Sequence, residues 1–144
     1  MKALDRATIE GEGKTMPLLH FHVVEGRSES DIKAMLDAAH EAMLETFEVP
    51  RGDRYQIVSE HKKTHLIVED TGLDIPRTDK VLLLQMFTRP RGDKKNEEFY
   101  KNLTDRLQKI CNMAPSDVMI SVVENNDAHW SFGHGRAQFL TGEL

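Results

Sequence analysis

Residues 49–60 read VPRGDRYQIVSE, and residues 114–124 read APSDVMISVVE. Each opens on an apolar residue and a proline, carries an aspartate, runs into a β-branched segment and closes on a glutamate. Aligned on Asp53 and Asp117, the two stretches lie 64 positions apart. The same spacing holds further out. Pro17 to Val24, PLLHFHVV, is apolar, aromatic and β-branched and stops at Glu25-Gly26, the pattern of a strand. Val81 to Thr88, VLLLQMFT, is its counterpart 64 positions on, more hydrophobic and so expected to be covered on both faces. Between strands, Ile32, Met35, Leu36, Ala39, Ala42, Met43 and Phe47 recur at steps of three and four, one face of an amphipathic helix. Ser28, three residues before Asp31, offers a capping start, and Pro50 lies just past the end. After RPRGD breaks the later strand, Phe99, Leu103, Leu107 and Ile110 mark a second helix over about Lys94 to Asn112. Tyr55 to Ser59 and Val118 to Glu124 complete a strand–helix–strand order repeated twice.

This pattern predicts a tandem duplication of a βαβ unit. Each unit makes a right-handed crossover between parallel strands. The fold class is therefore α/β, with a four-stranded sheet and two helices on one face. The other face needs a cover, most simply from other subunits. One further short strand is predicted at Leu66 to Val68, before the turn-rich EDTGLDIPRTDK.

The bulk chemistry narrows the function. With 19 Lys+Arg against 24 Asp+Glu, the 144-residue chain carries a net charge of −5. That balance argues against nucleic acid or an anionic membrane as a general partner. No apolar run approaches the ~18 residues of a membrane span, and no signal-peptide core is visible. A cytoplasmic protein is expected. Cys111 is the single cysteine, which leaves no internal disulfide and no thiolate zinc site. His20 and His22 share a strand face, while His61 and His65 sit four apart in a loop-to-strand region with no acidic partner at fixed spacing. Neither a metal nor a cofactor is expected.

Residues 13–15, GKT, suggest the tail of a phosphate-binding loop, but the first glycine of that motif would fall at Thr8 and no hydrophobic strand precedes it. Met16-Pro17 says more. Glu10-Gly11-Glu12-Gly13-Lys14 can be encoded only by GAR-GGN-GAR-GGN-AAR, a purine-rich run where a bacterial ribosome-binding site would lie before the Met16 codon. Residues 1–16 are thus read as an N-terminal extension, a mis-assigned start or a flexible one, and residues 17–144 as the domain. Methionine before proline is normally trimmed. That would leave Pro17 with a free secondary amine, tunable near neutral pH, whereas an internal proline nitrogen has no basicity.

Three further groups bear chemistry. Arg89 and Arg91, in TRPR (residues 88–91), share a face at the end of the most buried strand and can grip a carboxylate as paired forks. They also suit a solvated loop. Asp53 follows a Pro-Arg-Gly turn, where a plain turn aspartate is the simplest reading. Trp130, Phe132 and Phe139 can wall an apolar pocket or fill a core.

Taken together, MPLL with VEGRS, LDAAHEAM, VPRGDRYQ, EDTGL, TRPR and ENNDAHWSFGHGRAQFLTG resemble the tautomerase superfamily, and within it the malonate semialdehyde decarboxylases. The resemblance runs from Pro17 to the end of the chain. It implies paired βαβ units assembled as a homotrimer and an enzyme without a cofactor. It implies a small 3-oxo acid as substrate, split to acetaldehyde and CO2, with hydration as a side activity. Pro17 matches the family's amino-terminal catalytic proline, Asp53 its catalytic aspartate, and Arg89 with Arg91 its substrate-holding pair. Trp130, Phe132, Phe139 and Leu140 match the hydrophobic pocket wall. The extension before Pro17 departs from the family, as do His20 and His22. Rival activities on the same scaffold are keto–enol tautomerisation and hydration or dehalogenation of unsaturated acids. A non-catalytic trimer follows if residues 1–16 stay attached.

Overall fold

The computed structural model describes residues 17–144. Residues 1–16, on which the readings of GKT and of Met16 as initiator rest, lie outside the described residues. The chain runs β1 (Leu18–Val24), α1 (Glu29–Phe47), β2 (Tyr55–His61), β3 (Leu82–Thr88), α2 (Asp93–Cys111), β4 (Val118–Glu124) and α3 (Gln138–Thr141). Single 3₁₀ turns stand at Lys63–His65, Pro115–Asp117 and Asp127–His129.

The duplication read from the sequence is the architecture. Both long helices have 19 residues, and their first and last positions are each 64 apart. Both end on a left-handed cap, Glu48 and Asn112, each at φ 54°. Ser28 starts α1 as expected, its side chain accepting the Asp31 N–H at 3.1 Å. No side chain caps α2, which follows Gly92 at φ 89°, where only glycine rests without strain.

The sheet order is β2-β1-β3-β4. β1 runs parallel to β2 and β3 parallel to β4, and the two units join antiparallel through β1 and β3. This join decides where the site lies. It brings the starts of β1 and β2 to the same end of the sheet as the finishes of β3 and β4. At that end Leu18 is opposite both Tyr55 and Phe87, and Thr88 is opposite Glu124.

Period-2 alternation sends Leu19, Phe21, Val23, Leu82, Leu84 and Met86 toward the helices, each 1% exposed or less. Met35, Ala39, Met43, Phe99, Leu103 and Leu107 meet them from α1 and α2. The Phe47 and Phe99 rings lock the two helices at 5.4 Å between centroids. Phe99 is fully buried, so Phe99→Ala is expected to cost about 3–5 kcal/mol, read as a lower urea midpoint at unchanged slope.

The opposite face is only half covered within one protomer. There His20, His22, Ser59, His61 and Gln85 form a hydrogen-bonded strip. His20 Nε2 lies 2.7 Å from Ser59 Oγ, His22 Nδ1 2.9 Å from His61 Nε2, and His22 Nε2 donates to Gln85 Oε1 at 2.9 Å. Burial, and then the neighbouring His22 and His61, push the His20 imidazole below its ordinary value. Among the described residues no group of three or more His, Cys, Asp or Glu is placed to hold a metal.

The strand expected at Leu66 to Val68 does not form; the segment is irregular, and Ile67 is 76% exposed. The 3₁₀ turn at Lys63–His65 precedes it and a turn closed by Leu73 N–H on Asp70 O at 3.0 Å follows it. Three residues between two turns have no length to pair along. Ile67 and Val68 instead share a shallow groove with Leu83 and Met119 on the open sheet face.

Candidate active site

The aspartates that anchor the internal repeat have diverged. Asp117, at the start of β4, is 2% exposed and accepts the Thr78 N–H at 2.7 Å and the Thr78 hydroxyl at 2.5 Å. It clamps the loop leading into β3. Asp53, before β2, emerges at the other end of the sheet, beside the start of β1. Its carboxylate is hydrogen-bonded to the Tyr55 hydroxyl. Burial, and then the charge of Asp53, raise the Tyr55 phenol above its ordinary value, so Tyr55 stays a donor at neutral pH.

At this end of the sheet Pro17, Thr88, Arg89, Arg91, Trp130, Phe132 and Phe139 line a narrow cleft that, in the lone protomer, is closed to a water-sized molecule. Pro17 is buried at the mouth of β1. Arg89 and Arg91 leave the end of β3 by different routes. Arg89 is 7% exposed; its Nε lies 2.6 Å from Asp127 Oδ1, and its guanidinium carbon sits 4.2 Å above the Phe139 ring. A cation on an aromatic face with a carboxylate at its edge is held in one orientation. Arg91 is half-buried, and its Nε donates to Thr88 Oγ1 at 3.1 Å. The Thr88 hydroxyl in turn donates to Arg89 O at 2.8 Å, so one threonine ties the two arginine residues together.

The aromatic wall is built by the segment after β4. Asn125 N–H donates to Thr88 O at 2.8 Å, and Trp130 Nε1–H donates to Asn125 Oδ1 at 2.6 Å. Trp130 and Phe132 stack at 5.5 Å and 5°, and Phe139 meets Phe132 edge-on at 5.3 Å. Gln138, 8% exposed, closes the turn between them, accepting Phe132 N–H at 2.9 Å and donating to Gly133 O at 2.8 Å. Tyr55 reaches the same wall, 5.9 Å from Phe132, and so links Asp53 to it.

Of the residues expected from sequence, the structure thus brings Pro17, Arg89, Arg91, Trp130, Phe132 and Phe139 to one cleft. Asp53 borders it through Tyr55, and Leu140, 62% exposed, is not among the residues that line it. Thr88, Asn125, Asp127 and Gln138 lie in stretches quoted from the sequence, which assigned them no role. Their types are those of ordinary turns and caps, and only three-dimensional placement gives them work. The arrangement sets two guanidinium groups, a buried proline and an apolar wall around one cleft.

Two tautomerase enzyme family models match the chain, over residues 17–74 and residues 53–133. The chain belongs to the tautomerase family. A probable tautomerase of Bacillus subtilis (strain 168), YrdN, is 49% identical over 129 residues, which cover 90% of this chain and 100% of that one. Among solved structures, a malonate semialdehyde decarboxylase described as having decarboxylase and hydratase activities is 50% identical, with a TM-score of 0.86 over 89% of this chain and 99% of its own. A fused 4-OT symmetric trimer shares the fold at 18% identity, with a TM-score of 0.72 over 88% of this chain and 99% of its own.

Proposed function

We propose that the chain, once trimmed to Pro17, decarboxylates malonate semialdehyde (3-oxopropanoate) to acetaldehyde and CO2. The observation that carries this reading is the convergence of Pro17 with two arginines and an aromatic wall in one cleft. The likeness to a malonate semialdehyde decarboxylase supports it.

Arg89 and Arg91 bind the carboxylate, Arg91 presenting its charge and Arg89 an oriented fork. The protonated Pro17 amine hydrogen-bonds the aldehyde oxygen, or its neutral form attacks the aldehyde carbon and, with uptake of one proton and loss of water, becomes an iminium. Either way the C1–C2 bond breaks and its electron pair flows into the carbonyl or iminium carbon's π system, releasing CO2. The enol or enamine left behind takes a proton at carbon, and the iminium route then returns the amine by hydrolysis. The net change is 3-oxopropanoate plus one proton to acetaldehyde plus CO2. The apolar wall of Trp130, Phe132 and Phe139 favours neutral CO2 over the carboxylate it replaces. Asp53, oriented by Tyr55, holds the proline cation or activates water in a hydration side reaction.

The assembly we propose is a homotrimer, packed through the open sheet face. Ile57, Met119 and Val123 on that face are 47%, 37% and 40% exposed in the lone protomer, an apolar surface that association would cover. The likeness to a trimeric fused 4-OT agrees with it.

The name of YrdN favours a second reading, keto–enol tautomerisation on the same residues. Product analysis separates the two. Protein beginning at Pro17 is expected to release CO2 and acetaldehyde in equal amounts from 3-oxopropanoate. Ketonisation of an enol acid without CO2 release would establish the tautomerase instead, and halide release from a 3-halo-unsaturated acid a hydratase-dehalogenase.

A further inference from the structure

Asp127 lies within the 124–142 stretch but is given no role by the sequence, and the chemistry above does not call on it. Yet it makes a 2.6 Å ion pair with a buried arginine of the cleft. Its own position is fixed from both sides. Asp127 opens the 3₁₀ turn that follows β4, and the Asn126 side chain caps that turn by accepting the Ala128 N–H at 3.0 Å. Asn126 N–H donates to His129 Nδ1 at 3.1 Å, closing a reciprocal box around the turn. The carboxylate is thus presented on a locked scaffold, as Phe139 presents its ring to the other side of the same guanidinium.

Geometry and charge point the same way. A guanidinium is planar, so fixing its Nε and its face fixes the direction of both terminal donors. A carboxylate in contact with a cation also offsets most of its field at a distance. Without that offset, the cleft would gather three positive groups: Arg89, Arg91 and a protonated Pro17 amine.

We propose that Asp127 is a positioning residue of this site: it holds Arg89 as an oriented donor for the substrate carboxylate and offsets its charge. The role toward substrate rests on the decarboxylase reading; the effect of Asp127 on the amine needs only that the chain begin at Pro17.

The sign of that effect follows from the surroundings. Arg89 and Arg91 from the end of β3 line the cleft with Pro17. Asp53 and Arg54 precede β2, where Arg54 is paired with Asp37 at 2.9 Å, and Glu124, Asp127 and His129 lie at and after the end of β4. Removing the negative charge of Asp127 leaves the cleft more positive, which disfavours the protonated amine. The amine pKa therefore falls. Activity that needs the protonated amine is lost as pH rises through that pKa, so its alkaline limb moves to lower pH.

The experiment uses protein beginning at Pro17, labelled with ¹⁵N-proline, as wild type, Asp127→Asn and Asp127→Glu. NMR titration of the terminal amine reads its pKa directly. We expect Asp127→Asn to lower it by roughly half a unit to one unit, less than a charge in direct contact with the amine would exert, and Asp127→Glu to leave it in place. Kinetics on 3-oxopropanoate are expected to show kcat down at least ~10-fold in Asp127→Asn with KM not raised, because the extra positive charge still attracts the carboxylate. The alkaline limb of kcat/KM moves with the NMR value. An unmoved amine in Asp127→Asn overturns the inference, as does a variant whose KM rises while its pH profile stays put, which is the mark of a merely structural contact. If Asp127→Asn fails to fold, an Asp127→Glu amine displaced as far as one unit overturns it equally. Wild type that titrates as expected but releases no CO2 refutes the decarboxylase reading and leaves the charge role standing.

Discussion

Protein produced from the Met16 codon is expected to turn over 3-oxopropanoate, and protein that retains residues 1–16 is expected to be inert. The reason lies in one atom. The nitrogen of an internal proline is an amide: its lone pair is delocalised into the carbonyl, it has no N–H, and it neither accepts a proton near neutral pH nor attacks an aldehyde. The nitrogen of a terminal proline is a secondary amine, with an ordinary α-amino pKa near ~8. Pro17 lies in the cleft with both arginines, so the change from amide to amine occurs where the substrate would sit. Within the trimmed protein, Pro17→Ala keeps an amine but loses the ring that fixes its direction. General acid–base catalysis by a positioned group contributes about 10²–10⁴-fold. A fall of that size in kcat/KM is expected, with the circular dichroism spectrum unchanged. Intact mass of the protein from its native host checks the premise. A chain starting at Pro17 supports the enzyme, and a chain starting at Met1 with full activity would remove Pro17 from the chemistry.

What the sequence could and could not display follows from the kind of signal involved. The tandem βαβ plan was legible because it is written twice, in apolar period and in turn chemistry, at a spacing of 64. Two copies fix element type and order more firmly than either alone. The antiparallel join of β1 to β3 was not legible, since no local pattern in either strand records which neighbour it pairs with. That join is what carries Arg89 and Arg91 from the far end of the second unit to the start of the first. Asp53 and Asp117 show the same limit. They occupy equivalent places in the repeat, and only the tertiary fold shows that one clamps Thr78 while the other reaches Tyr55 and the cleft edge. The false strand at Leu66 to Val68 is the opposite error: three β-prone residues satisfied composition but lay between two turns. The roles of Asp127 and Gln138 were not legible because an aspartate opening a turn and a glutamine beginning a short helix carry no mark of the groups they hold.

The second large effect is expected at Arg91. Arg91→Ala removes a guanidinium that lines the cleft and, in the proposed reaction, contacts the substrate carboxylate. Each hydrogen bond to a charged group contributes about 1.5–3 kcal/mol, so losing a bidentate pair costs roughly 3–5 kcal/mol of transition-state binding, or about 10²–10⁴-fold in kcat/KM. The cost should divide between KM, through lost carboxylate binding, and kcat, through lost orientation of the breaking bond. Arg91→Lys keeps the charge but not the fork. It is expected to recover KM more than kcat, because a point charge attracts the carboxylate without setting its plane. Arg91→Ala removes a hydrogen bond to Thr88 and a guanidinium 5.4 Å from the Phe47 ring, whereas Arg89→Ala would strand the Asp127 carboxylate and bare the Phe139 ring. A full-activity Arg91→Ala protein would show that the carboxylate is held elsewhere. A protein with raised KM and untouched kcat would show that Arg91 only gathers substrate, and that the orientation of the scissile bond belongs to Arg89 alone.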